Sequence, residues 1–311
     1  MKLTKEYCSS FCKDNNIETI PSKNDWGIYQ YSYNMRKINN LQETLFMTGI
    51  GMNNVPHLMT LAQLVGINDL SSKGFNTRII LGDYDVILAR DKDLSTNNIV
   101  ETYKNFIQRI GFKQEIIEQS KFQNRLDNLI HISKYIERED LTYVREDILN
   151  YYNTPDTFAL DLSYILMFSD LLIPIISGAY KYVVMCCGLD ESKYSITANK
   201  ILHRMGVKGE IGGLYTFIPE NGLNGWPQMS KSHPDSAIFL TDSLEQIHIK
   251  FKSKANYINF AYELGKKLMP NTHIEESYQV YGRLIKCIEK YASEWMKSES
   301  VGKDGFEPPK A

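Results

Sequence analysis

Between Pro227 and Asp242 the chain reads Pro-Gln-Met-Ser-Lys-Ser-His-Pro-Asp-Ser-Ala-Ile-Phe-Leu-Thr-Asp, a polar run dense in hydroxyls with Lys231 at its centre. A lysine brings a mobile point charge, and Ser230 and Ser232 add hydrogen-bond donors beside it. Such a set stabilises the negative charge that develops on a pyrophosphate leaving group in ATP chemistry. Taken alone, the same run also serves as a solvated turn, because short motifs recur by chance.

The elements that would position such a loop can be read from periodicity. The first forty residues suggest a short helix and then an edge strand or extended arm around Tyr29, Tyr31 and Tyr33. An apolar run at 44–47 breaks into Thr48-Gly49-Ile50-Gly51-Met52-Asn53-Asn54-Val55-Pro56-His57, and an apolar-periodic helix follows at 58–65. A strand, a glycine loop and a helix place backbone amides and the positive helix end where an anion can sit. Further strands are expected at 77–81, 114–117, 182–187 and 211–217, with helices at 97–110, 121–135, 140–152, 164–172 and 193–204. Asp83 reads as a turn residue or helix cap. Alternating strands and helices from residue 44 to 217 predict an α/β, doubly wound parallel sheet, Rossmann-like, with a small C-terminal helical region. The expected organisation is a nucleotide-binding domain over 1–242 with a helical insertion around 119–160. Helices would fill 243–297, and a flexible tail 298–311.

Composition narrows the classes. With 35 basic and 37 acidic residues the net charge is −2, which gives no global nucleic-acid footprint. The five cysteines, Cys8, Cys12, Cys186, Cys187 and Cys287, have no paired CxxC spacing, so neither a disulfide framework nor a zinc site is expected, and no metal is assigned to the protein itself. The longest apolar run, 164–176, is interrupted by Ser169, Asp170 and Pro174. No membrane partner is expected, and the amino terminus opens no secretory pattern, which makes the cytoplasm the default location.

Gln228-Met229-Ser230-Lys231-Ser232 resembles the KMSKS loop of class I aminoacyl-tRNA synthetases, and the continuation to Thr241-Asp242 is similar to that of the tryptophanyl and tyrosyl branch. Asn54-Val55-Pro56-His57 falls where that family carries its HIGH motif. The resemblance implies that His57 and Lys231 act on the ATP phosphates. It also implies that Gly49, Gly51, Asn54, Met229, Ser230 and Ser232 bind ATP. Leu166, Met167 and Asp170 match a tryptophanyl spacing, in which methionine packs on the indole and aspartate accepts from its N–H. Ser163 and Met167 stand where tyrosyl enzymes carry tyrosine and glutamine. Gly188 and Asp190 match a Gly-x-Asp-Gln element that binds ribose and amino acid, and Glu191 stands at its glutamine.

The implied activity is ATP-dependent formation of an aminoacyl-adenylate, with tryptophan favoured, by a ligase that uses ATP with Mg2+ carried on it. A homodimer is implied too. Two questions stay open. The acceptor is tRNA or, in a stand-alone relative with a shortened C-terminal helical region, some other molecule. Three departures, Pro56 for glycine, Gln228 for lysine and Glu191 for glutamine, together with Asn54 in the first motif position, also fit a non-catalytic amino-acid or nucleotide-binding protein of synthetase ancestry.

Overall fold

The computed structural model describes residues 5–21, 25–52, 54–90, 98–122, 125–152, 157–218, 220–226, 228–231, 233–273, 275 and 278–304. Helix α1 (Lys5–Asp14) leads into two short strands, β1 (Ile17–Thr19) and β2 (Tyr31–Tyr33). The long first parallel strand β3 (Thr44–Gly51) is followed by α2 (Leu58–Ser72), β4 (Thr77–Gly82), α3 (Asp83–Arg90), α4 (Ile99–Arg109) and β5 (Glu115–Glu118). Three helices come next, α5 (Arg125–Ser133), α6 (Arg138–Tyr152) and α7 (Phe158–Ile176), then β6 (Tyr182–Gly188), α8 (Ser192–Arg204) and β7 (Glu210–Thr216). The chain closes with α9 (Leu244–Lys252), α10 (Tyr257–Leu268) and α11 (Tyr278–Asp304).

The strands form one sheet in the order β1-β2-β7-β6-β3-β4-β5, parallel from β7 to β5, with β1 and β2 added antiparallel at one edge. The expected doubly wound α/β sheet is therefore present. Both faces are covered, which is why β6 reads as an unbroken apolar run rather than an alternating one. Phe46, Val184 and Cys186 point into one core with α2, α4, α10 and α11, while Leu45, Val183 and Cys187 point into the other with α7 and α8. Cys186 and Cys187 are thus packing residues on opposite faces, both fully buried and both free thiols.

Three expectations shift. Gly49 and Gly51 were expected in a loop, but both lie within β3, in register with Ile80 and Gly82 of β4. Pairing with a buried neighbour strand outweighs the low strand propensity of glycine. The connection after Asp83 is helical, as α3; the Asp83 carboxylate accepts from Ser120 N at 2.9 Å, which fixes the helix start against the end of β5. Helix α11 runs past residue 298 to Asp304, with Ser298 buried and its hydroxyl donating to Glu294 O at 2.7 Å. Helix α7 has the length and apolarity of a membrane span, yet 67% of its most apolar window is buried inside the fold, as in the core helix of a globular protein.

Candidate active site

Strands β3 and β6 are neighbours, but the chain leaves β3 toward β4 on one side and enters β7 on the other. The order reverses there, and open α/β sheets bind ligands at the carboxyl ends of such strands. A cavity of about 220 Å³ opens at that place, lined by Gly49, Gly51, His57, Gly188, Asp190, Glu191, Met229, Ser230 and Lys231 among others. Residues separated by as many as 182 positions in sequence thus share one cavity. An adjoining, more apolar cavity of about 100 Å³ includes Met47, Ile80, Met167, Asp170, Met185 and Tyr194 in its lining. Both cavities are lined by Gly49, Ile50, Gly51, Asp85 and Glu191, so they meet across the end of β3.

His57 is the N-cap of α2. Its Nδ1 accepts from Thr60 N at 3.2 Å, which leaves Nε2 to carry the proton of the neutral ring. Burial, and then the Lys231 charge, push its pKa down to about 3, so the ring stays neutral in physiological solution. The turn before α2 is stitched to the segment that follows the lysine loop. Leu58 N donates to Ile238 O at 3.0 Å, and Leu240 N donates to Pro56 O at 3.1 Å. Pro56 therefore spends its carbonyl on that seam and lies outside the lining of both cavities.

The lysine loop is firmly tied. Met229 N donates to Asn221 Oδ1 and Ser230 N to Ser236 Oγ, each at 2.8 Å. Ser230 and His233 form an isolated antiparallel bridge, and the Trp226 ring stacks on His233 at 4.0 Å. Gly222 has to be glycine, since a Cβ there would meet the carbonyl oxygens of Trp226 and Gln228 at 2.4 and 2.7 Å. Lys231 Nζ donates to Gly51 O, and to the Tyr103 hydroxyl at 3.0 Å. Ser232 lies outside the described residues.

Asn54 does not join this set. Its side chain accepts from Val55 N at 2.8 Å, and its carbonyl accepts from the Tyr103 hydroxyl at 2.6 Å. Gly49 leaves space at the cavity, since a Cβ there would meet nothing within 4 Å. At Gly188 a Cβ would lie 2.3 Å from Asp190 Oδ1, so a side chain there would displace the Asp190 carboxylate.

Asp170 projects from α7 into the polar end of the apolar cavity, with both carboxylate oxygens engaged. Oδ1 accepts from Arg125 at 2.5 Å, and Oδ2 accepts from Gln119 Nε2 at 2.7 Å. Arg125 also lies over the Phe122 ring and donates to Ser169 Oγ at 3.0 Å. Burial pushes the Asp170 pKa up to about 6, against the opposing pull of Arg125 and Gln119. The buried pair keeps its charges through its own hydrogen bonds. Glu191 accepts from Gln63 Nε2 at 3.0 Å, and burial away from water together with the Asp190 carboxylate push its pKa up to about 8.

The sequence reading missed Tyr103, Gln119, Arg125, Gln63 and Asn221. Each is a polar residue whose partner lies far along the chain, except that Asn221 sits eight residues before Met229. That asparagine, in a glycine-rich segment leading to the loop, is the single signal that local reading contained.

The fold is that of solved tryptophanyl- and tyrosyl-tRNA synthetases. Among solved structures, tryptophanyl-tRNA synthetase from Aeropyrum pernix superposes with a TM-score of 0.74 at 17% identity, covering 99% of this chain, α9 to α11 included, and 98% of that one. A tryptophanyl-tRNA synthetase homolog from Entamoeba histolytica gives 0.73 at 11% identity, covering 97% and 94%. Tyrosyl-tRNA synthetase from Archaeoglobus fulgidus, complexed with L-tyrosine, gives 0.66 at 14% identity, covering 89% and 96%. In sequence, the chain is 25% identical over 212 residues to tyrosine–tRNA ligase of Picrophilus torridus, across 64% of this chain and 63% of that protein's length. No protein-family profile matches the sequence.

Proposed function

We propose that the protein activates an aromatic amino acid, tryptophan in the first place, as its aminoacyl-adenylate at the expense of ATP. The observation that carries this reading is the meeting of the two cavities at Gly49 and Gly51, one lined by Lys231 and His57, the other apolar and closed by Asp170. An amino-acid side chain in the smaller cavity would pack on Met167 and meet Asp170 and Gln119 at its far end. Its carboxylate would then face the larger cavity, where the α-phosphate of ATP would lie. Attack is in line, and pyrophosphate leaves toward Lys231 and Ser230, with catalysis supplied by positioning and charge stabilisation. Mg2+ would travel on the triphosphate rather than in a protein-built cage.

His57 as a neutral ring is suited to donate a hydrogen bond from Nε2 to a phosphate oxygen without taking up a proton. Asp190, on the turn after β6, is suited to ribose. Glu191, held near neutrality as an acid, offers one donor and one acceptor, which is the pattern of the glutamine it replaces. That makes the departure at 191 compatible with activity and favours an enzyme over a non-catalytic relative.

Tyrosine is the second reading, favoured by the sequence relative, which is a tyrosine–tRNA ligase. A carboxylate and an amide at the closed end of a pocket serve a phenol hydroxyl as well as an indole N–H. Transfer to tRNA is the next step by analogy with the structural neighbours, and transfer to another acceptor is its alternative. A homodimer is supported by exposed apolar residues on elements that pack together, Leu126 and Ile130 of α5 at 69% and 55% exposure and Phe158 at the start of α7 at 77%.

The test is ATP–pyrophosphate exchange on the purified protein against a panel of amino acids, with and without tRNA. Exchange with a single aromatic amino acid supports adenylate formation and names the substrate. ATP binding without exchange under any condition overturns the enzymatic reading.

A further inference from the structure

We propose that Tyr103 is the positioning residue for Lys231, seated by the carboxy-terminal helix through Trp295. Tyr103 is fully buried on α4, and its hydroxyl is used twice: it donates to Asn54 O at 2.6 Å and accepts from Lys231 Nζ at 3.0 Å. One phenol therefore ties the segment after β3 to the lysine loop, which lies 128 residues beyond Tyr103 itself. Nζ lies 5.2 Å from the ring centroid, out beyond the hydroxyl edge, so the phenol oxygen rather than the ring face makes the contact. Lys231 is thus aimed along β3, at Gly51, by a fixed phenol oxygen rather than by its flexible stem.

The ring is in turn fixed from behind. Trp295 of α11 is fully buried and meets Tyr103 edge-on at 5.1 Å and Phe106 at 5.3 Å, both at 76°. Aromatic pairs of this geometry hold a ring at a fixed angle. Helix α4 places Tyr103 and Phe106 three residues apart, on one face, so both reach the same indole. The carboxy-terminal helix thereby reaches the loop lysine by way of Tyr103.

The kinetic consequence rests on the adenylate-forming reading, and the contact itself does not. Tyr103→Phe keeps the ring and its packing on Trp295, and removes only the hydroxyl. In the full-length protein, labelling of Lys231 by an amine-reactive reagent, read by mass spectrometry, should rise several-fold in Tyr103→Phe. Labelling equal to the parent overturns the proposal, whatever the protein's activity. In pyrophosphate exchange, Tyr103→Phe should lower kcat by about tenfold with the amino-acid KM unchanged, the loss expected when a charge on the leaving group is misplaced. In a Lys231→Ala background the same change should add less than about twofold, because Tyr103 acts through that lysine. A full additional loss in that background overturns the positioning role. Absence of exchange in the parent removes the proposed function and leaves the labelling result to decide this one.

Discussion

Asp170 and Lys231 are the two charged side chains that would meet opposite ends of an aminoacyl-adenylate, and the fold holds them in different ways. Asp170 sits on the central helix α7, with both oxygens bound by buried side chains and its partner Arg125 just as buried. Lys231 sits on a loop at the mouth of a cavity, held by a backbone carbonyl and a phenol, and half-exposed. A side-chain pocket must discriminate before any chemistry occurs, so its polar end is prearranged at full desolvation cost. On the proposed function, a group that acts on a leaving phosphate has to follow charge as it moves, which a loop lysine held by a carbonyl and a hydroxyl is able to do.

The largest effect should come from breaking the fixed end. Arg125→Met leaves the Asp170 carboxylate buried without its cation, and removing one partner of a buried pair costs about 3–5 kcal/mol. The melting temperature should fall by about 5–8 °C on that basis, measured by calorimetry. A drop of only a degree or two would mean that Asp170 is held by Gln119 alone. Next in size, Lys231→Ala should cost about 10²–10³ in kcat for exchange while leaving the melting temperature within about 2 °C of the parent. Exchange at the parental rate would remove the lysine from the phosphate site.

Asp170→Asn sharpens the contrast. It keeps the shape of the side chain and tests whether its charge serves the ligand or only Arg125. The expected outcome is an amino-acid KM raised by about tenfold with kcat less affected, since the contact is made in ground and transition states alike. The melting temperature should fall as well, because Arg125 is then the uncompensated buried charge. A melting change with no KM change would make Asp170 purely structural.

The same contrast explains what could be read from the sequence. Lys231 and Ser230 can be named from the sequence because they are adjacent in the chain, and the structure places both in the lining of one cavity. Met167 and Asp170 are legible because helical spacing puts them one turn apart on α7. Arg125 and Gln119 are not, since they approach Asp170 from 45 and 51 residues upstream, across helices whose packing no local pattern encodes. Tyr103 looks like an ordinary core aromatic of an amphipathic helix, and only the third dimension puts Lys231 against its hydroxyl. Gly49 and Gly51 misled for a related reason: their propensity signals a loop, while pairing with β4 holds them in the strand. The alternation of strands and helices suffices for the sheet because covering both faces imposes its pattern on every segment.

The smallest expected effect concerns Glu191, which lines both cavities. Its carboxyl is pushed up to about 8 by burial away from water and by Asp190, above the ordinary glutamate value of 4.5. A raised folded-state pKa means that the folded protein holds the proton more tightly than the unfolded chain. The stabilisation is complete below the unfolded value and is lost as pH rises through 4.5 toward about 8. Glu191→Gln fixes the neutral form, so the variant should hold its stability across that window better than the parent, with little change at low pH. His57 changes in the opposite direction: its lowered pKa contributes stability above pH 6.5 that is lost as pH falls toward about 3. The difference between parent and Glu191→Gln should therefore grow as pH rises from 5 to 9, while both lose stability together on the acid side. Parallel melting curves across that alkaline range would show that Glu191 is already ionised in the folded protein. The likeness between its acid form and the glutamine of related sites would then fail.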